Sequence, residues 1–312
     1  MRILVVGAGA IGGYFGGRLL AAKQDVTFLV RPKRAAELAS SGLEITSPAG
    51  DVKIPNPPTV LAENLKSTYD LILLSCKAFD LESAITSFAP AVGPETAIMP
   101  LLNGMQHIEV LVQRFGSQHV LGGLCMISTT LEPGGRVAHL NKLHILAFGE
   151  RDGSRSPRVE NIAKAFSGAN FVTRLSDNIM QEMWEKWVFI ASCAGITCLM
   201  RATIGDVVAA GGAELSTALL AECAAISAAQ GFVPGSASVE LSRSLLTAAN
   251  SPLVASMFRD IERGGKIEAE HMIGDLLRRG ESAGVVTPLL RVVNVHLKSY
   301  EARRARELAE AK

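Results

Sequence analysis

The chain has 312 residues, 48% of them apolar, so one large or two moderate domains with a sizeable core are expected and disorder is excluded. Its 31 basic residues against 30 acidic ones, a net charge of +1, exclude nucleic acid and an anionic membrane surface as expected partners. The five cysteines are odd in number and form no CxxC pair, which argues against a disulfide framework or a zinc site and for a reducing, cytoplasmic compartment.

In chain order, Arg2–Val6 (RILVV) is a short apolar run ending in glycine, as expected of a strand buried on both faces. The glycines that follow sit in a turn pattern with no small-residue cleavage site, so a signal peptide is not expected. Residues 14–22 read as a helix. Residues 26–30 (VTFLV), 71–75 (LILLS) and 97–102 read as further strands, with helices near 33–41, 81–89 and 105–115 between them. This alternation predicts a parallel sheet with right-handed crossovers. Between Val120 and Phe148, three segments separated by Gly and Asn turns read as three strands that extend the same sheet. Residues 151–158 form a loop, 159–168 a helix and 171–175 a last short strand.

After Ser176 the pattern is helical. Asn178 with Gln181, Ser251 before Pro252 and Thr287 before Pro288 are candidate helix N-termini. The expected fold is therefore α/β: an N-terminal Rossmann-type doubly wound parallel sheet over 1–175 plus an all-α C-terminal domain over 176–312. The apolar run over residues 187–200 is too short to span a bilayer. The tail EARRARELAEAK reads as a solvated helix end.

Gly7, Ala8, Gly9, Ala10, Ile11 and Gly12 form G-A-G-A-I-G between the first strand and the first helix. In that position the first glycine permits the turn, the second lets a pyrophosphate approach the backbone and the third allows close helix–strand packing. The helix N–H groups and dipole then hold the anion. At the end of the second strand, where an NAD site carries a carboxylate for the ribose 2′-hydroxyl, the chain has Arg31, with Lys33 and Arg34 behind it. A cation there pairs with a 2′-phosphate, so NADP(H) is the expected cofactor. Lys77 and Asn103 follow the third and fourth strands and are expected on the same crest, where ligands of open parallel sheets bind.

Taken in order, GAGAIG, Arg31, CKAFD at 76–80, LLNGM at 101–105, WEK at 184–186 and SMFRDIERGGKIEAEHMIG at 256–274 make the chain similar to the ketopantoate reductase (2-dehydropantoate 2-reductase) family. The resemblance spans nearly the whole chain. It implies a Rossmann domain joined to a helical domain with the active site in the cleft between them, and NADPH-dependent reduction of a 2-keto acid, in pantothenate biosynthesis. It further implies Lys186 as the catalytic lysine, with Asn103 facing nicotinamide and substrate. Ser256 then helps hold the substrate, Glu268 stands near the lysine, and Lys77 and Arg31 contact the cofactor.

The chemistry suits these residue types. Hydride transfer to a ketone leaves charge on oxygen, which a nearby cation or acid stabilises. Lys186 lies at the edge of a long apolar run between Trp184 and Trp187. Burial there would draw its pKa toward neutrality and suit it as a general acid. The plain alternative is a lysine whose stem runs along the helix end into water. For Ser256 and Glu268 the alternatives are a helix-face serine and a first-turn glutamate.

Two positions depart from the family pattern. Its asparagines four and eight residues after the lysine are here Ile190 and Ala194. These positions share the lysine's helix face, so two amides that could recognise a substrate hydroxyl are gone. A 2-keto acid with a more apolar side chain than ketopantoate is therefore expected. Rival readings are a hydroxyacid- or opine-type dehydrogenase and a non-catalytic NADP-binding sensor. The six histidines form no HxxxH-type pair, so no metal is expected. His271, three residues after Glu268, reads as a helix-surface histidine, the alternative being a place near the cleft; Cys193 and Cys198 read as core residues. An apolar helical domain is compatible with a homodimer.

Overall fold

The computed structural model describes residues 1–310. The chain forms two compact units. One comprises Met1–Leu102 and His107–Met180; the other comprises Asn103–Gln106 and the residues from Gln181 onward.

The first unit begins with β1 (Arg2–Val6), α1 (Ala10–Ala21), β2 (Asp25–Leu29), α2 (Pro32–Ser41), β3 (Leu43–Thr46), β4 (Val52–Ile54) and β5 (Thr59–Val60). It continues with β6 (Leu71–Leu74), α3 (Leu81–Phe88), β7 (Ala97–Pro100), α4 (Gln106–Phe115), β8 (Gly122–Leu131), β9 (Val137–Gly149), α5 (Pro157–Phe166) and β10 (Val172–Leu175). A five-stranded parallel sheet has the order β5-β2-β1-β6-β7. Ile3, Leu4, Val5 and Leu71 to Leu74 are fully buried, which is why these strands read as unbroken apolar runs. The chain leaves β1 toward β2 on one side and returns to β6 on the other. That reversal is a topological switch point, and it opens at the carboxyl ends of β1 and β6.

The segment after Val120 does not extend this sheet beyond a single bridge from Val120 to Ile98. It also contains two strands, not three. β8 and β9 pair antiparallel, and β9 then adds β10 and the β3–β4 hairpin in parallel to make a second sheet, β10-β9-β3-β4. The expected Asn turn is an irregularity within β9, where Ile127 faces His144 but Thr129 faces His139. Tyr14, Phe15 and Leu19 of α1 are fully buried in the unit's core, with the Phe15 ring 5.0 Å from Phe171 beside β10.

The second unit takes up most of α6 (Ile179–Met200), then α7 (Ile204–Ala209), α8 (Ala213–Ala229), α9 (Ser236–Leu246), α10 (Ser256–Glu262), a π-helix (Glu270–Gly274), α11 (Asp275–Ser282) and α12 (Pro288–Glu310). Ser251 does not start a helix. The carbonyls of Ser251 and Leu253 accept from Gly205 (2.9 Å) and Ile204 (3.0 Å), so this segment caps α7 and α10 waits until Ser256. Pro288 opens α12 as expected, but the carboxylate of Glu222 on α8 takes the free amides of Leu289 (3.0 Å) and Leu290 (2.9 Å). The last turns of α12 are exposed, as a solvated helix end should be; Ala311 and Lys312 lie outside the described residues. Among the described residues no helix is long and apolar enough to cross a membrane.

Candidate active site

In the first unit, the backbone leaving β1 turns where the Gly7 amide donates to the Leu29 carbonyl at 2.9 Å. Gly7 has φ +95°, a left-handed conformation that glycine adopts without strain. At Gly12 a Cβ would stand 2.1 Å from the Gly7 carbonyl and 2.2 Å from Ser75 Oγ, so only glycine lets α1 approach β1 this closely. Gly9, by contrast, faces open space. It is the N-cap of α1 and offers no side chain to the helix's first amides. Those amides and the helix dipole suit a pyrophosphate oxygen, so the residues present fit a dinucleotide.

The turn has supports that the motif does not reveal. Ser75, just after β6, donates its hydroxyl to the Val6 carbonyl at 2.9 Å. Arg34 donates its Nε to the Ala8 carbonyl at 3.0 Å and Nη2 to the Gly135 carbonyl at 2.8 Å. Arg34 is therefore a clamp on the glycine turn. Arg31, at the exit of β2, keeps an exposed guanidinium 2.9 Å from Asp80 and 3.3 Å from Ser83 Oγ. The hydrogen bond and charge of Asp80 raise its pKa. Lys77 is exposed beyond the end of β6. The glycine turn, Arg31 and Lys77 thus stand at the carboxyl ends of three adjacent strands.

Asn103 follows β7 and belongs to the second unit. There its Oδ1 accepts a hydrogen bond of 2.9 Å from Lys186 Nζ. Lys186 is half-buried on α6, while Trp184 and Trp187 on either side are buried at 3% and 0% exposure. The tryptophans are anchored separately. Trp184 stacks on Phe232 at 5.4 Å, and the Trp187 indole donates to the Met272 carbonyl at 2.9 Å. Their packing fixes the rotation of α6, and that rotation directs Lys186 to Asn103 instead of into the core.

Ile190 is half-buried and Ala194 buried at the next two positions on the same face of α6. Thr197, one turn further, accepts the Ala255 amide on its hydroxyl at 3.3 Å, which ties that face to the start of α10. Ser256 is the first residue of α10 and is exposed. Glu268 is half-buried just before the π-helix, and its carbonyl accepts from the Met272 amide at 2.9 Å.

His271 is not on a helix surface. It is buried at 7% exposure against Gly104, where an added Cβ would lie 3.0 Å from the ring Cδ2. Burial lowers its pKa, against the pull of Glu268 and of a hydrogen bond to the Asn103 main chain. Cys193 and Cys198 are core residues, and burial pushes both thiols up to about 12, so neither is a nucleophile near neutral pH. Among the described residues no group of three or more His, Cys, Asp or Glu could hold a metal ion.

Comparison with known proteins covers both units. The family model for ketopantoate reductase PanE/ApbA matches residues 3–153, and the model for its C-terminal part matches 178–301. The chain is 35% identical over 305 residues to the "Uncharacterized oxidoreductase YkpB" of Bacillus subtilis, covering 97% of this chain and 100% of that one. Among solved structures, the 2-dehydropantoate 2-reductase from Methylococcus capsulatus superposes with a TM-score of 0.86 at 27% identity, over 97% of this chain and 98% of that one. A D-mandelate dehydrogenase solved with NADH and anilino(oxo)acetate shares the fold, with a TM-score of 0.87 at 21% identity over 98% and 100% of the two chains. The family models matched along both units place this oxidoreductase in the ketopantoate reductase family.

Proposed function

We propose that the protein reduces a 2-keto acid to the 2-hydroxy acid with NADPH, Lys186 acting as general acid. The observation that carries this reading is the 2.9 Å hydrogen bond from Lys186 Nζ to Asn103 Oδ1. It supports a lysine fixed by a polar partner over one extending freely into water. A bound nicotinamide supplies the hydride. The residues of the chain do the rest. As negative charge develops on the ketone oxygen, the Lys186 ammonium stabilises it and transfers a proton. Asn103 fixes the direction of that ammonium, Glu268 favours its charged form, and Ser256 holds the substrate. Arg31 pairs with the 2′-phosphate and Lys77 contacts the cofactor, while the uncapped start of α1 takes the pyrophosphate.

Ile190 and Ala194 give the acid's helix face an apolar surface, so the preferred substrate carries a branched apolar side chain instead of the hydroxylated one of ketopantoate. The five cysteines stand as thiols, four of them buried, which suits the reducing cytosol. NADPH consumption across a panel of 2-keto acids, ketopantoate included, tests the reading. Lys186→Ala should lower kcat by about 10²–10⁴-fold on whichever acid is turned over. Strong preference for ketopantoate would defeat the apolar assignment. Ile190 and Ala194 also favour a second reading, an NADP-binding sensor without turnover. In that case NADPH binds, no carbonyl compound is reduced, and Lys186→Ala changes nothing.

A further inference from the structure

His271 is a buried titratable group to which the proposed chemistry gives no task. It lies in the π-helix Glu270–Gly274, a form of backbone that favours functional sites because its wider turn displaces the residues it carries. The ring edge touches the turn that bears Asn103. A Cβ on Gly104 would stand 3.0 Å from His271 Cδ2, 3.1 Å from Nε2 and 3.0 Å from its carbonyl oxygen. Gly104 also has φ +78°, so this turn takes glycine for conformation and for space.

Asn103 is held from two sides. Its side chain accepts from Lys186 at 2.9 Å, and its main chain bonds the His271 ring in a way that favours the protonated ring, as a carbonyl acceptor does. A parallel tie runs between the neighbouring residues, from the Trp187 indole to the Met272 carbonyl at 2.9 Å. Successive residues of α6 are thus linked to successive residues of the π-helix, once directly and once through Asn103. The charged groups acting on the ring are Glu268 and Asp275, which favour its protonation, and Arg279, which opposes it; burial outweighs the carboxylates. A neutral imidazole keeps one N–H, which is all that a single carbonyl acceptor needs.

We propose that His271 is a positioning residue that pins the Asn103–Gly104 turn and so keeps the Asn103 amide oxygen on the Lys186 ammonium. This rests on the reading of Lys186 as the acid. The reason such a residue matters is geometric: an acid displaced by about 1 Å can lose on the order of 10²-fold in rate. His271 itself touches neither the ammonium nor, on this proposal, the substrate.

The test compares His271→Phe, which fills the space without a donor, with His271→Gln, whose amide can still donate to the Asn103 carbonyl. The readouts are kcat on a 2-keto acid that the wild type reduces, and the NADPH Kd from fluorescence titration. His271→Phe should lose about 10- to 100-fold in kcat with the NADPH Kd unchanged, and His271→Gln should recover most of the loss. In an Asn103→Ala background His271→Phe should cost little more, because both act through one contact. Should His271→Phe not fold, His271→Asn, too short to reach the carbonyl, takes its place with the same expected loss. A folded variant with kcat within about twofold of wild type, or losses that multiply in the double variant, overturns the assignment. A wild-type protein that reduces no carbonyl compound overturns the reading of Lys186 instead, so the two failures are told apart.

Discussion

Arg31 carries a conflict in the choice of cofactor. Its guanidinium is the cation expected for a 2′-phosphate, yet it already lies 2.9 Å from Asp80. An incoming phosphate must share that guanidinium with a carboxylate and is repelled by it. NADH has a 2′-hydroxyl, which the same carboxylate can accept. The pair is open to water, with side-chain exposures of 69% and 34%, and such a bridge is worth about 0–1 kcal/mol. A phosphate can therefore displace it, but Asp80 should narrow the margin between the two cofactors. Asp80→Asn is predicted to tighten NADPH by about 5-fold, the effect of removing one like charge at a partly screened distance, while leaving NADH unchanged or weaker. Fluorescence titration with each nucleotide measures this. An unchanged NADPH-to-NADH ratio would mean that the 2′-phosphate does not reach Arg31.

On the function proposed above, helix α6 would carry both the acid and the substrate preference, because Lys186, Ile190 and Ala194 recur every four residues along one face. Ile190→Asn returns an amide to the position one turn from the acid. We expect it to raise kcat/KM for ketopantoate relative to branched apolar 2-keto acids by about 10-fold, since a group built to bond a hydroxyl discriminates strongly. It should also cost stability of about 1–3 kcal/mol, as a half-buried amide loses water. A ratio that stays put or moves the other way would leave the apolar face without a role in selection. Much of this helix was legible in the sequence: WEK and the apolar run located Lys186 and its neighbours. The strands of the parallel sheet were equally plain, because β1, β2, β6 and β7 are buried runs that need no register information. β3 and β4 escaped notice because LEIT and VKI are short and half-polar, and they exist through pairing with each other and with β9. That pairing also explains why the β8–β9 hairpin belongs to a second sheet. Ser251 carried a sound helix-start signal, overridden when its carbonyl was taken by α7. His271 and Asp80 were visible in the sequence only as members of quoted segments, His271 three residues after Glu268 and Asp80 at the end of CKAFD, with nothing local to show the partner of either. One is buried through contact with Gly104, 167 positions earlier, and the other matters through Arg31, 49 positions earlier.

Each of the two units contains a histidine whose pKa is lowered on folding, and together they give the molecule an acid-sensitive stability. In the first unit, Tyr14 Oη lies 2.7 Å from His144 Nδ1, and the His139 ring stacks on His144 at 5.6 Å. Burial, then the charges of His139 and Arg18, hold the His144 pKa below its ordinary 6.5. In the second unit burial does the same to His271. In the unfolded chain both rings titrate near 6.5. Between that pH and the lower native values the unfolded state binds more protons, so stability rises with pH there. The contribution is complete above about pH 6.5 and is lost as the pH falls toward the native pKa values. Carboxylates act lower. At Glu150 burial pushes the pKa up, but Arg158 and Ser156 bring it below its ordinary 4.5, so its loss begins after the histidine window. Calorimetric Tm values should therefore be level above neutrality and fall through the mildly acidic range. His144→Gln should flatten the fall for the first unit and His271→Gln for the second, with both needed to flatten it fully if the units unfold as one. A Tm that is constant or rising as the pH drops from 7 to 5 would contradict the assignment of both rings as neutral in the native state.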